Sequence, residues 1–178
     1  MKNLAVLALI FACSSCWKEN AAEKAYRETL GSMRDKIMHA KLDCQKALSD
    51  SEAGMDQEEN VDKIGAAEVK AIKKCIYAFA DAEEFVLRGL RVFDEHAKSR
   101  HIDVYTKAAE GYLWAVQSYG ELWKQRLVCE LLPVNDDSLE DDYVCAERAE
   151  ALEARSNHLW CHAERAYRSI PGGEGGKK

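Results

Sequence analysis

The sequence predicts an all-α protein, an up-down-up-down bundle of about four long helices stapled by disulfides. Apolar residues recur at steps of three and four over most of the 178-residue chain, which is the period of one face of an α-helix. Only two residues are proline, so long helices can run without interruption. The apolar pattern stops only at short polar or glycine-containing segments. Short connections between long helices favour antiparallel neighbours.

The first fifteen residues have the pattern of a signal peptide. Lys2 supplies a positive charge, residues 4–12 form an apolar run, and Cys13-Ser14-Ser15 provides the small residues that a signal peptidase prefers. The run is too short to cross a bilayer as a helix. We therefore expect a secreted, extracellular protein with no membrane span.

Cleavage after Ser15 would leave a helical domain over residues 16–170, followed by a flexible Gly-rich tail over residues 171–178. In a second interpretation Cys13 or Cys16 is acylated, and the chain is a lipid-anchored exported protein.

The first helix is predicted to start at a capping box formed by Asn20 and Glu23. Its non-apolar face carries charged residues such as Arg34 and Lys41, which we expect to be solvated. The acidic residues 49–60 break the helical period and are predicted to form a loop. The apolar face consists of Tyr26, Leu30, Met33, Ile37, Ala40, Cys44 and Leu48.

The second helix, over residues 61–98, has the widest apolar surface in the chain. We therefore expect it to be the central rod of the bundle, with neighbours on more than one side. Its apolar positions are Val61, Ile64, Ile72, Cys75, Phe79, Ala82, Val86, Leu90, Phe93 and Ala97, widened by Ile76, Tyr77, Phe85 and Leu87.

Two further helices follow, separated by the turn at residues 133–137. The third carries an aromatic face, and the fourth is stopped by Pro171. The apolar face of the third is Tyr105, Ala109, Tyr112, Val116, Tyr119, Trp123 and Leu127. That of the fourth is Cys145, Ala149, Leu152, Ser156, Leu159, Ala163, Ala166 and Ile170.

Six cysteines remain after cleavage at Ser15, and an even number in an exported chain suggests disulfides. Cys145 and Cys161 cannot bridge each other, because sixteen residues of one helix put them ~24 Å apart. Positions along an up-down bundle favour three pairs, although six cysteines allow fifteen pairings. These pairs are Cys16–Cys161, Cys129–Cys145 and Cys44–Cys75, the last requiring the second helix to start late, near Gly65.

The composition and motifs argue against several classes of function. The net charge is −6 and the basic residues are scattered, which disfavours nucleic acid as a partner. The chain has no Glu-x-x-His di-iron motif, no His-Glu-x-x-His, no Gly-x-Ser-x-Gly and no phosphate-binding glycine loop. We expect a non-enzymatic protein without a cofactor.

The segment His158-Leu159-Trp160-Cys161-His162 is the one dense cluster of metal-ligand residue types. His158 and His162 have the i,i+4 spacing that can hold a metal. The segment also resembles the haem-attachment sequence Cys-x-x-Cys-His on the last helix of the cytochromes c′, matching it at Cys161 and His162 only. The resemblance implies a haem-binding bundle. The simpler interpretation is two polar positions beside an oxidised Cys161.

The function that we expect is binding of a partner protein, as by an effector or a cytokine-like module. Exposed aromatic residues mark such surfaces, and Tyr77 of the second helix is one expected anchor. Trp114 and Trp160 are two more, since they lie off the apolar faces of their helices. We predict that they form one binding patch with His158 and His162. The alternative is a carrier that holds a small apolar ligand in the bundle core, lined by the aromatic face of the third helix.

Overall fold

The computed structural model describes residues 21–55, 61–95, 102–132 and 139–170. Four helices occupy these ranges: α1 (Ala21–Met55), α2 (Val61–Glu95), α3 (Ile102–Glu130) and α4 (Leu139–Ser169). The ranges contain no strand, so the predicted all-α class is confirmed. None of the described helices combines the length and the apolar character that a membrane span needs. The predicted signal peptide, the Asn20 cap and the Gly-rich tail lie outside the described residues.

Contacts between successive helices confirm the up-down-up-down order. Along α1 and α2, the partner positions run in opposite directions, from Tyr26 stacked on Phe93 to Cys44 bonded to Cys75. The same reversal holds for the other two neighbouring pairs, so each helix is antiparallel to the one before it. Their contacts are Gln117 with Glu83 and Tyr119 with Phe79 for α2 and α3, and Gly111 with Ala163, Ser118 with Ser156 and Cys129 with Cys145 for α3 and α4.

The centre of the bundle is α3 and not α2. Helix α3 packs closely against α2 and α4 and also contacts α1, whereas α2 and α4 barely touch each other. On α2, Tyr77 and Leu87 face solvent, with Tyr77 72% exposed, so the widened apolar surface of α2 is only partly covered. The buried residues of α3 surround most of the helix, and many are small. They are Tyr105, Ala108, Ala109, Gly111, Tyr112, Ala115, Val116, Ser118, Tyr119, Leu122 and Trp123.

The predicted loop at residues 49–60 is wrong over its first half, because α1 continues to Met55. Ala47 and Ser51 are buried, and the Ser51 hydroxyl donates a hydrogen bond to the Leu48 carbonyl. Burial of these two residues therefore stabilises the helix in a segment that is acidic and has only a weak apolar pattern.

Two of the predicted disulfides, Cys44–Cys75 and Cys129–Cys145, are present, with Cα atoms 4.6 and 5.6 Å apart. The extra turns of α1 account for the first pair. Cys44 lies eleven residues before Met55 and Cys75 fourteen residues after Val61, about 17 and 21 Å along their helices. The two cysteines are thus nearly level, although α2 does not start as late as Gly65.

Gly111 allows α3 and α4 to approach closely. A Cβ atom at this position would lie 3.1 Å from the Cβ and 3.2 Å from the Cα of Ala163. Gly120, two and a half turns nearer the end of the same helix, has no atom within 4 Å of such a Cβ. The two glycines therefore form a matched pair for measuring this contact.

We expect Gly111→Ala and Gly120→Ala to change stability in opposite directions. Alanine is the better helix former by up to about 1 kcal/mol, and Gly120→Ala should gain that amount. Gly111→Ala should lose about 1–3 kcal/mol, because its methyl group meets the backbone of a buried helix. Urea unfolding of both variants measures the difference. An equal gain in both would show that α3 and α4 are not in this close contact.

Candidate functional site

An open groove of about 570 Å³ runs over α3, between α2 and α4. It exists because these two helices flank α3 without packing on each other. We call it the Trp114 groove. It is lined by Ile76, Ala80, Glu83, Trp114, Gln117, Ser118, Gly120, Glu121, Lys124, Leu152, Arg155 and Leu159.

The Trp114 groove has an apolar centre and a polar rim. Trp114 is 52% exposed, and the half-buried Ile76, Leu152 and Leu159 provide further apolar surface along the groove. On the rim, the Gln117 amide donates a hydrogen bond to Glu83, and the Lys124 ammonium donates one to Glu121. Both donor–acceptor distances are 2.9 Å. Arg155 is exposed and has no ion pair among the described residues. This combination is typical of a protein-binding surface.

The second predicted anchor, Trp160, lies on the other side of α3. Its ring centroid is 5.6 Å from that of Tyr112, and the Lys41 ammonium of α1 is 5.2 Å from it. Trp160 is half-buried there, whereas Trp114 faces the groove beside α2. The structure thus does not bring the two tryptophans into one patch.

His158 and His162 are both exposed on α4. Among the described residues, no three His, Cys, Asp or Glu side chains are grouped as a metal site would require. The predicted roles of the two histidines in partner binding stay predictions.

Three helices meet at a buried carboxylate. Glu164 of α4 has an 11% exposed side chain and accepts hydrogen bonds from the Arg34 Nε atom of α1 at 2.7 Å and from the Tyr112 hydroxyl of α3 at 2.9 Å. We call these three residues the Glu164 cluster. Burial, reinforced by the charge of Glu164, raises the pKa of Tyr112, and the hydrogen bond to Glu164 raises the pKa of Arg34.

The charged face of α1 was expected to be solvated, and this expectation is wrong at several positions. Arg34 is part of the Glu164 cluster, and Glu23 is buried. The Lys41 ammonium donates to the Tyr119 hydroxyl at 3.0 Å, and that hydroxyl donates to Asn157 Oδ1 at 2.7 Å. Burial raises the pKa of Tyr119 to about 12. Glu164 directly follows Ala163 of the predicted apolar face of α4, and this position at the edge of the face was the sequence signal for its burial.

Cys161 is exposed and forms no disulfide within the described residues, and its predicted partner Cys16 lies outside them. Arg34 contacts Glu164 and Lys41 contacts Trp160, so Cys161 is level with about the middle of α1. That level is roughly 24 Å along the helix from Ala21. The five residues from Cys16 to Ala21 span at most about 18 Å. A disulfide adds about 6 Å between its two Cα atoms, so the Cys16–Cys161 pair is only just within reach, and it stays a prediction.

The aromatic face of α3 packs against other rings. Phe79 stacks on Tyr119 with centroids 5.1 Å apart, and Tyr26 packs on Tyr105 at 5.6 Å. Tyr112 contacts Tyr167 as well as Trp160. The rings therefore fill the interior of the bundle at these positions, where the carrier interpretation needs a ligand cavity.

Within the described ranges the fold and the groove define a class: four antiparallel helices linked by two disulfides, with an apolar groove beside the central helix. Comparison with protein-family models, with curated proteins and with solved structures finds no match to this chain.

Proposed function

We propose that this protein is an exported, non-enzymatic module that binds a partner protein through the Trp114 groove. The observation that carries the proposal is the position of Trp114, a large aromatic side chain that is 52% exposed on the floor of an open groove. Tryptophan is among the residues most often found at the energetic centre of interfaces. Its exposure in the free chain leaves apolar area for a partner to cover.

The occupant that fits this groove best is an amphipathic α-helix of the partner. The groove follows α3 from Trp114 to Lys124, almost three helical turns, and its walls are the parallel edges of α2 and α4. A helix laid along it would bury apolar side chains at i, i+3, i+4 and i+7 against the floor. Arg155 on the rim favours a partner helix that carries a carboxylate at that point.

Export is supported by the signal-peptide pattern of residues 1–15 together with the two disulfides, which are typical of proteins that fold in oxidising compartments. Binding of an apolar ligand in the bundle core is the weaker function, because aromatic rings of four helices occupy the space that such a ligand would need.

The test compares two exposed aromatic residues. A partner is first isolated with the labelled mature protein from the fluid or tissue that it meets, and its affinity is then measured by titration calorimetry. We expect Trp114→Ala to weaken binding at least tenfold, since truncating such an anchor commonly costs 2 kcal/mol or more. Tyr77→Ala, at an exposed position outside the groove, is the matched control and should bind like the unaltered protein.

Thermal unfolding of both variants separates a binding role from a structural one. Trp114→Ala should keep its unfolding temperature, because half of the side chain is already in water. Unchanged affinity in Trp114→Ala would contradict the proposal, as would an equal loss in Tyr77→Ala.

A further inference from the structure

A second groove, of about 280 Å³, lies between α1 and α4. It is on the side of α3 away from Trp114, and we call it the Lys41 groove. Leu48, Phe79 and Leu122 provide apolar surface in it. Its polar groups come from Lys41, Gln45, Trp123, Arg126, Glu153 and Asn157. Its volume is close to the lower end of the range for small-molecule sites, about 300–1,000 Å³.

The indole N–H of Trp123 is a buried donor that lacks an acceptor within the described part of the chain. Trp123 as a whole is only 8% exposed, and its ring lines the Lys41 groove. Buried polar groups in folded proteins almost always have a hydrogen-bond partner, since an unpaired one costs about 1–3 kcal/mol. The unpaired indole therefore indicates an acceptor that comes from outside the described residues.

The Lys41 ammonium is a half-buried cation without an anion of its own. In the described ranges it donates to the Tyr119 hydroxyl and lies over the rings of Tyr119 and Trp160, and no carboxylate is within ion-pair distance of it. Glu164 interacts with it only from further away and is bonded to Arg34. Burial accordingly lowers the pKa of Lys41. Cys161 is the other ionisable group that faces it.

Arg126 is already neutralised at its own position. Its guanidinium lies 2.7 Å from the Glu153 carboxylate and stacks over the Trp123 ring at 4.9 Å. It thus covers the outer face of Trp123 and leaves Lys41 as the free positive charge of the groove.

We propose that the Lys41 groove binds a small amphipathic carboxylate, with its carboxylate between the Lys41 ammonium and the Trp123 indole and its apolar body against Leu48 and Leu122. Lys41 bonds Tyr119, and Tyr119 and Trp123 are one turn, or about 6 Å, apart along α3. Both donor residues thus belong to the same end of one groove. The site goes beyond the proposed partner binding and shares no lining residue with the Trp114 groove.

The probe is octanoate, compared by titration calorimetry with 1-octanol and octylamine, which have the same chain but a neutral or a positive head. We expect saturable binding of one octanoate per chain, at least tenfold weaker binding of 1-octanol, and no binding of octylamine. Equal binding of octanoate and 1-octanol would overturn the proposal, and so would the absence of saturable octanoate binding.

Two variants locate the site. Lys41→Met removes the charge and keeps an apolar stem, and Trp123→Phe removes the indole N–H and keeps an aromatic ring. Each should weaken octanoate binding at least fivefold. Lys46→Met, an exposed lysine on the same helix, and Trp114→Phe, in the other groove, are matched controls that should bind octanoate like the unaltered protein.

The unfolding temperature, measured with and without octanoate, distinguishes a binding role of Lys41 and Trp123 from a purely structural one. In the absence of octanoate each variant has its own reference unfolding temperature, because Lys41→Met loses the hydrogen bond to Tyr119 and Trp123→Phe makes a buried ring smaller. Octanoate should raise the unfolding temperature of the unaltered protein and not that of Lys41→Met. Variants that bind octanoate normally would show that the anion is held elsewhere and would overturn the proposal.

Discussion

Glu164→Ala should lower the free energy of unfolding by about 3 kcal/mol. The substitution removes the carboxylate that accepts hydrogen bonds from both Arg34 and Tyr112, and it leaves the Tyr112 hydroxyl buried without that acceptor. Breaking a buried pair by removing one partner typically costs about 3–5 kcal/mol. We take the lower end of this range, because the Arg34 side chain is 30% exposed and can turn to water.

Glu153→Ala is the matched control for this experiment. Glu153 also pairs with an arginine at 2.7 Å and lies on the same helix, but its side chain is 47% exposed. Ion pairs near the surface contribute about 0–1 kcal/mol. Denaturant unfolding of the two variants should therefore differ by about 2 kcal/mol or more. Equal costs would show that the Glu164 cluster is solvated.

The second large effect is expected from removing the Cys44–Cys75 disulfide. The bond closes a loop over a sequence separation of 31, and both cysteines are buried in the core. Loop-closure entropy alone predicts a loss of about 3–4 kcal/mol for Cys44→Ala combined with Cys75→Ala. The vacated sulfur positions add a packing cost. The unfolding temperature should fall by about 10 °C, while helical circular dichroism at room temperature is retained.

The Cys129–Cys145 pair allows a direct comparison. It closes a shorter loop, with a separation of 16, and Cys129 is only half-buried. Cys129→Ala combined with Cys145→Ala should therefore cost less than the first double variant. A larger loss from this pair would contradict our account of which bond holds the core.

Most of the fold could be predicted from the period of the apolar residues, because that period depends on the chain itself. Tyr26, Leu30, Met33 and Ile37 are all fully buried, as their spacing indicates. The two disulfides were predictable for the same reason, since position along antiparallel helices decides which cysteines are level.

The central helix could not be identified in this way. Hydrophobic width favoured α2, but the centre of the bundle depends on how closely helices approach, and small residues such as Gly111 and Ala115 allow that approach. A glycine or an alanine contributes little to an apolar pattern. Its effect becomes visible only when the facing helix, here with Ala163, is known.

The candidate site was predictable in part. Trp114 lies about 200° around α3 from the buried Val116, and it is exposed as that angle indicates. Trp160 follows Leu159 by one position, so it lies at the edge of the apolar face of α4. The sequence alone does not say which neighbouring helix that edge faces. The partners of Arg34 and Lys41 come from α3 and α4, far along the chain, so neither contact leaves a local signal.

The central claim is that a partner helix lies in the Trp114 groove, and site-specific photo-crosslinking tests it most directly. A benzophenone amino acid replaces Gln117, one turn from Trp114 in the groove, or Tyr77 on the exposed face of α2 as the control. We expect crosslinks from position 117 to one partner protein, at residues three and four apart on a single helix, and their loss when Trp114→Ala is added. Equal crosslinking from position 77, or crosslinks from position 117 that survive Trp114→Ala, would contradict the account.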